Sequence, residues 1–168
     1  KATKTLPKVL PVRWHAAGVR LAAAGESGRF AVWSSEGDRF RLSQEGQCGR
    51  DPLRSVIWRA DSLLIAGDDR GVWQVAENTM APKSVAKAEG AIQTLALADD
   101  DSWLLTGEDS GKISLWATAD WSCRGVLSGH RGAVMSVAIE PGSRRAVSTG
   151  QDGMVRLWQL PVLKQDDV

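Results

Sequence analysis

Short stretches in which apolar and polar residues alternate recur along the whole chain, and this period of two predicts β-strands. The stretch from Val134 to Ile139 is typical: Val134, Ser136 and Ala138 alternate with Met135, Val137 and Ile139. Turn-forming residues such as Pro141-Gly142 and Asp99 to Asp101 follow the strands. Tight Asp-Gly or Ser-Gly pairs then predict two-residue hairpins. Helical periodicity is absent nearly everywhere, so we expect an all-β fold.

The alternating pattern repeats about every 42 residues. Residues 90–97 align with 132–139, and residues 110–116 align with 152–158, each ending in a tryptophan. An earlier copy ends at Trp33, and a weaker copy places Ala76 at the tryptophan position. Four short antiparallel strands per copy match the size of a propeller blade. The predicted blades cover about 12–46, 47–87, 88–128 and 129–168.

The fourth copy carries the most specific set of residues, namely Gly129-His130, Pro141-Gly142, Ser148, Asp152 and Val155 to Trp158. This set resembles a blade of the WD-repeat β-propeller family, with Gln159 standing where that family often has Asp. The resemblance extends over essentially the whole chain and is weakest in the second copy. It implies a non-enzymatic scaffold that docks a protein or peptide partner on a rigid blade rim.

The resemblance also implies a structural network in the fourth copy. Hydrogen bonds are expected to run from the Trp158 indole through Ser148 and His130 to Asp152, which would hold the imidazole in one tautomer. Such a network pins the loop that enters a blade to a hairpin turn, and it carries out no catalysis.

The other copies depart from this network. In the third copy, Ala88 and Ser110 replace the histidine and the aspartate, while Thr106 and Trp116 remain. In the first copy only Trp33 survives. In the second copy Ala66, Arg70 and Ala76 align with the network positions, so none is expected to survive. The full network is therefore predicted in one blade of four.

The residue before the hairpin-turn aspartate is a candidate partner-binding position, because it is exposed on one face in the family that the chain resembles. The four copies place Glu26, Asp69, Asp109 and Gln151 there. Three acids and one amide on one rim would attract a basic peptide or protein surface. The alternative, that these are simply solvated polar turns, stays open.

Four blades of this type would turn through only about half of a ring that usually closes with seven or eight blades. We therefore expect the chain to be half of such a ring, with open apolar flanks that need a cover. A homodimer or a complementary propeller chain would supply it, and an excerpt from a longer propeller is the alternative. The N-terminal segment 1–11 is a candidate outer strand for a last blade, and a start at Lys1 suggests a processed or excised piece.

Composition narrows the function classes. Lys and Arg total 21 against 20 for Asp and Glu, a formal net charge of +1 that argues against a general nucleic-acid binder. No apolar run approaches the roughly 20 residues that a membrane-spanning helix needs. Cys48 and Cys123 form no CxxC pair, and His15 and His130 lie in different copies.

These observations predict no catalytic residue, no metal site and no cofactor, and they leave the cellular compartment open. Two further functions remain as alternatives. One is an accessory domain or subunit of an enzyme complex whose catalytic residues lie on another chain. The other is a purely architectural half-propeller that completes a ring by self-association.

Overall fold

The computed structural model describes residues 9–76, 81–142 and 144–161, which form fifteen β-strands and no helix. The strands of the first two blades are β1 Val9–Trp14, β2 Arg20–Gly25, β3 Arg29–Glu36, β4 Arg39–Gln47, β5 Leu53–Arg59, β6 Ser62–Gly67, β7 Gly71–Val75 and β8 Lys83–Lys87. Those of the last two are β9 Ile92–Leu97, β10 Trp103–Glu108, β11 Lys112–Ala117, β12 Cys123–Ser128, β13 Val134–Ile139, β14 Arg145–Gly150 and β15 Val155–Gln159.

Each blade is an antiparallel meander whose strands pair in chain order. Blade 1 is β1-β2-β3-β4, blade 2 is β5-β6-β7-β8 and blade 3 is β9-β10-β11-β12. Blade 4 contains three described strands, β13-β14-β15. The all-β propeller-blade architecture predicted from the alternating pattern is confirmed.

The hairpin between the second and third strands of a blade has the same backbone in all four copies. Gly28, Gly111 and Gly153 occupy one position of this turn with positive φ, and Arg70 occupies it in blade 2 with φ 66°. A Cβ atom at Gly111 would lie 2.5 Å from the carbonyl oxygen of His130, so the turn packs against the loop that enters the next blade. Blade 3 therefore needs glycine at position 111, where a side chain has no room, whereas blade 2 accommodates Arg70 at the same place in its turn.

The blades stack face to face, and an apolar layer fills each of the three junctions. Blades 1 and 2 bury Ala22, Phe30, Val32, Leu53, Leu63 and Ile65. Blades 2 and 3 bury Leu64, Val72, Ile92, Leu104 and Trp116. Blades 3 and 4 bury Leu105, Ile113, Leu115, Val134, Val137 and Ala146.

The stack has two ends, and the ring is not closed within this chain. The outward face of blade 1 and the outward face of blade 4 carry exposed apolar side chains, including Trp14 and Leu157. In the segment proposed as a closing strand, residues 9–11 instead belong to β1, which pairs with β2. The rest of that segment, residues 1–8, lies outside the described residues.

The strand register corrects the alignment of the second copy by one residue. Trp33, Trp116 and Trp158 lie opposite Leu21, Leu104 and Ala146. In blade 2 the matching partner, Leu63, lies opposite Val75 and not Ala76. Val75 therefore takes the place of the repeat tryptophan.

Across the described parts of the chain, the structure contains no helix that is long and apolar enough to cross a membrane.

Candidate interaction site on the loop side of the blades

One position in the β2–β3 type of hairpin lies at the same place in every blade. In blades 2, 3 and 4 its backbone N–H donates to a carbonyl just before the blade's first strand: Asp68 to Pro52 at 3.0 Å, Asp109 to Ala91 at 2.9 Å and Gln151 to Ala133 at 2.9 Å. Strand pairing puts Glu26 at this position in blade 1. We call Glu26, Asp68, Asp109 and Gln151 the rim.

The rim therefore includes Asp68, whereas the sequence alignment placed Asp69 there. The difference follows from the one-residue register error in blade 2. Glycine follows Asp69 by two positions, at Gly71, but the turn residue with positive φ is Arg70. An alignment that matches glycine to glycine moves the rim one residue too far along the chain.

The structure brings together the four residues of the implied network in blade 4. The Trp158 indole N–H donates to Ser148 Oγ at 2.8 Å, and Ser148 Oγ lies 2.8 Å from His130 Nε2. His130 Nδ1 lies 2.9 Å from Asp152 Oδ1. Because a carboxylate can only accept, Nδ1 carries the imidazole proton and Nε2 accepts from the Ser148 hydroxyl.

Asp152 also holds the backbone on both sides of this network. Its carboxylate accepts the N–H of Arg131 at 3.0 Å, in the incoming loop, and the N–H of Met154 at 3.1 Å, in the hairpin. The bond from Arg131, followed by that from His130, lowers the pKa of Asp152 to about 2. These groups all stabilise the ionised carboxylate.

Blade 3 fills the same space with a different residue, Glu108, which the sequence analysis missed. Glu108 is fully buried; Ser114 Oγ donates to its Oε1 at 2.6 Å and the N–H of Gly90 donates to its Oε2 at 2.8 Å. Beside it, the Trp116 indole N–H donates to Thr106 Oγ1 at 3.1 Å.

A paired substitution in the sequence signals this exchange. Glu108 aligns with Gly25, Gly67 and Gly150, and Ala88 aligns with His130. In blade 4 a Cβ atom at Gly150 would lie only 2.4 Å from His130 Nδ1, so a histidine and a larger residue cannot coexist there. In blade 3 the alanine vacates the space and the glutamate occupies it.

Blade 2 holds the equivalent hairpin with a third arrangement of side chains. Asp69 aligns structurally with Asp152, and its carboxylate accepts the Trp73 indole N–H at 2.7 Å and the N–H of Gly71 at 3.1 Å. The expectation that no network residue survives in the second copy is therefore wrong, because the corrected register places an aspartate at that position. Three of the four blades thus tie the hairpin with a buried or half-buried acid.

The charges around the rim are mixed. Arg54 makes a two-pronged contact with Asp68, with nitrogen–oxygen distances of 2.9 and 2.8 Å, and this hydrogen bonding raises the pKa of Arg54. Asp109 is exposed, and one of its oxygens accepts the N–H of Ala91 at 2.9 Å. Gln151 is exposed and uncharged. The acidity of the rim is thus partly offset in blade 2.

Within the described residues, no three His, Cys, Asp or Glu side chains come together as a possible metal site.

A family model confirms the nature of the repeat. The WD40 model, described as "WD domain, G-beta repeat", matches residues 82–117 and 121–159. These ranges run from β8 to β11 and from β12 to β15, so each joins the outer strand of one blade to the first three strands of the next. The matched residues, 82–117 and 121–159, are WD repeats. Blades 1 and 2 have the same strand order and hairpin geometry as the two matched WD repeats.

Curated relatives match this chain over parts of their length. A p21-activated protein kinase-interacting protein 1-like protein of Xenopus laevis is 39% identical over 34% of the chain and 16% of that protein. Protein HIR1 of Mycosarcoma maydis is 27% identical over 76% of the chain and 12% of that protein. Cilia- and flagella-associated protein 52 of Chlamydomonas reinhardtii is 24% identical over 88% of the chain and 24% of that protein. The chain thus spans less than a quarter of these relatives.

A solved structure has a similar size and fold. The computationally designed Ika4 protein superposes with a TM-score of 0.80, covering 96% of each chain at 16% sequence identity. At this identity the likeness shows the fold alone.

Proposed function

We propose that this chain is a non-enzymatic scaffold that docks a basic peptide or a basic protein surface on the rim formed by Glu26, Asp68, Asp109 and Gln151. The observation that carries this proposal is the repeated hydrogen bond from the rim N–H to the incoming loop in blades 2, 3 and 4. It presents the rim side chains at regular positions on a rigid frame. A preorganised surface binds with a smaller loss of conformational entropy than a mobile loop does.

The charge of the rim favours a basic partner. Three of its four residues are acidic, and Asp109 is exposed. Each exposed acid contributes little alone, but several on one surface steer a partner of opposite charge and speed its association. Arg54 beside Asp68 weakens this field at blade 2. Arg54 also interacts electrostatically with Glu26 of blade 1. The strongest attraction is therefore expected at Asp109 in blade 3.

Peptide binding tests the rim directly. Fluorescence anisotropy with Lys- and Arg-rich peptides, and with the same peptides in which Asp and Glu replace the basic residues, would measure affinity and charge preference. We expect Asp109→Lys to weaken binding of the basic peptides by about tenfold or more, and binding of the unmodified chain to fall with added salt.

Asp99→Lys is the matched control. Asp99 is an exposed acid in the β9–β10 turn, at the opposite end of the same blade. Asp99→Lys changes the net charge by the same amount as Asp109→Lys and should leave peptide binding unchanged. Equal losses in both variants would mean that net charge alone attracts the peptides. A chain that binds neither peptide set at about 1 mM would contradict rim docking.

A second candidate function is architectural. The exposed apolar faces at both ends of the blade stack favour completion of the ring by self-association or by a complementary propeller chain. In this function the rim carries no partner, so rim variants would keep the assembled state of the unmodified chain.

A further inference from the structure

The outward face of blade 4 exposes residues that are buried in the other blades. Val147, Val155 and Leu157 are 39, 68 and 69% exposed. Moved by 42 residues, they correspond to Leu105, Ile113 and Leu115 of blade 3, which are exposed by at most 1% because blade 4 covers them. We call Val147, Val155 and Leu157 end face 4. It is a blade-junction surface that lacks its neighbour.

The outward face of blade 1 is the opposite half of such a junction. Val12 is 45% exposed, whereas the residues in the same strand position of blades 2, 3 and 4 (Val56, Leu95 and Val137) are 1, 5 and 6% exposed. Trp14 and Leu42 are also exposed on this side, and a row of paired residues from Trp14 through Leu21 and Trp33 leads to Leu42. We call Val12, Trp14 and Leu42 end face 1.

The two end faces are therefore different and complementary. Inside the chain, a face of the blade 4 type packs three times against a face of the blade 1 type, at the junctions of blades 1 and 2, 2 and 3, and 3 and 4. The first strands of successive blades contact one another at each junction, β1 with β5, β5 with β9 and β9 with β13. The chain thus carries at its two ends both halves of a junction that it already forms internally.

We propose that a second copy of this chain binds head to tail, with end face 4 of each copy on end face 1 of the other. Two copies related by a two-fold axis would form two identical junctions and leave neither end open. Together they would hold eight blades, twice the four of one chain, which lies within the range of four to eight known for propellers. Three copies would exceed that range.

The polarity of end face 4 is compatible with burial against a second copy of the chain. Its strand neighbours Ser136, Ala138 and Thr149 are uncharged. The charged residues beside Val147 and Leu157, Glu140 and Arg145, are paired with each other at 2.8 Å. Apolar groups of this size leave water favourably when a matching surface covers them. The proposal concerns surfaces apart from the rim.

Sedimentation velocity of the purified 168-residue chain over a wide concentration range tests the proposal. We expect a species with twice the 18.1 kDa mass of one chain. Leu157→Glu on end face 4 and Val12→Glu on end face 1 should each raise the dissociation constant by about 100-fold, because each places a charge in both junctions. Both residues are exposed in the single chain, so both variants should keep its far-UV circular dichroism.

Val126→Glu is the matched control. Val126 is 45% exposed on β12, the outer strand of blade 3, and lies on neither end face. The same substitution there should leave the dimer intact. Dissociation by all three variants would overturn the specific end-face junctions.

Mixing the two end-face variants tests the head-to-tail arrangement. A pair of one Leu157→Glu chain and one Val12→Glu chain keeps one unmodified junction, so the mixture should associate more tightly than either variant alone. If Val12→Glu alone remains a full dimer, the copies meet through end face 4 on both sides and the proposal is wrong. A monomer at every concentration also overturns it. Rim variants such as Asp109→Lys leave both end faces unchanged, so failure of rim docking and failure of self-association are separate results.

Discussion

Asp69 accepts the indole N–H of Trp73 at 2.7 Å, across the hairpin that joins β6 to β7. The contact occupies the place that an aspartate–histidine pair holds in blade 4. It shows that one structural task, fixing the hairpin to its surroundings, is performed by different side chains in different blades of the chain.

A double-mutant cycle would measure the Asp69–Trp73 contact. Trp73→Phe removes the indole donor, and Asp69→Ala removes the acceptor. Since a hydrogen bond to a charged group contributes more than a neutral one, we expect a coupling energy of about 1–3 kcal/mol in urea unfolding. Additive effects of the two substitutions would show that the contact contributes nothing.

Ser148 is the central residue of the blade 4 network. Ser148→Ala leaves both the Trp158 indole N–H and His130 Nε2 without their buried partner, which should lower the free energy of unfolding by about 1–3 kcal/mol. Ser84→Ala, at an exposed serine on β8, should change it by less than about 0.5 kcal/mol. If both variants lose the same free energy of unfolding, the loss comes from removing any serine hydroxyl and not from breaking the network.

Glu108 is expected to be as important in blade 3. Glu108→Ala strands the N–H of Gly90 and the hydroxyl of Ser114, at a cost of about 1–3 kcal/mol for each group that stays dry. A triple variant with Ala88→His, Glu108→Gly and Ser110→Asp would rebuild the blade 4 arrangement beside Thr106 and Trp116. In chemical denaturation, the free energy of unfolding of this triple variant should be higher than that of Glu108→Ala. A triple variant less stable than Glu108→Ala would contradict the exchange of the two networks.

Acid should weaken the fold through Asp152. Its pKa in the folded chain is about 2, below the ordinary value of 3.8, because backbone N–H groups and His130 stabilise the carboxylate. The ionised group therefore contributes its full stability above about pH 4, and the contribution is lost as the pH falls from about 4 to about 2. Across this window, the free energy of unfolding should fall more steeply for the unmodified chain than for Asp152→Asn. Parallel profiles would contradict this assignment.

The two cysteines should react very differently. Burial, and secondarily the nearby charge of Asp69, raises the pKa of the Cys48 thiol to about 12, whereas Cys123 is exposed. Because the thiolate is the reactive form, a disulfide reagent at pH 8 should modify Cys123 alone in the folded chain. Both thiols should react once the chain is unfolded. Rapid reaction of two thiols in the folded chain would show that Cys48 is accessible.

Much of the fold could be predicted because its signals are local. Alternation within six residues specifies a strand, and hairpin glycines such as Gly111 and Gly153 mark turns whose backbone has positive φ. The network of His130, Ser148, Asp152 and Trp158 could also be proposed, since its spacing is characteristic of the family. The rim in blade 2 could not be placed correctly, because Arg70 adopts the positive φ that glycine has in the other turns.

The sequence by itself determined the period of the repeat, the order of its strands and the likeness of blade 4 to a WD repeat. These depend on residues close together along the chain. Only the tertiary structure decided that Glu108 takes the place of a histidine and that Asp69 accepts a hydrogen bond from Trp73. It also decided that Val155 and Leu157 remain exposed. The physical reason is that each of these depends on which group lies across a hairpin, a loop or a blade junction. Alternation reports that a residue faces one side of a sheet, but it cannot report whether another blade covers that side.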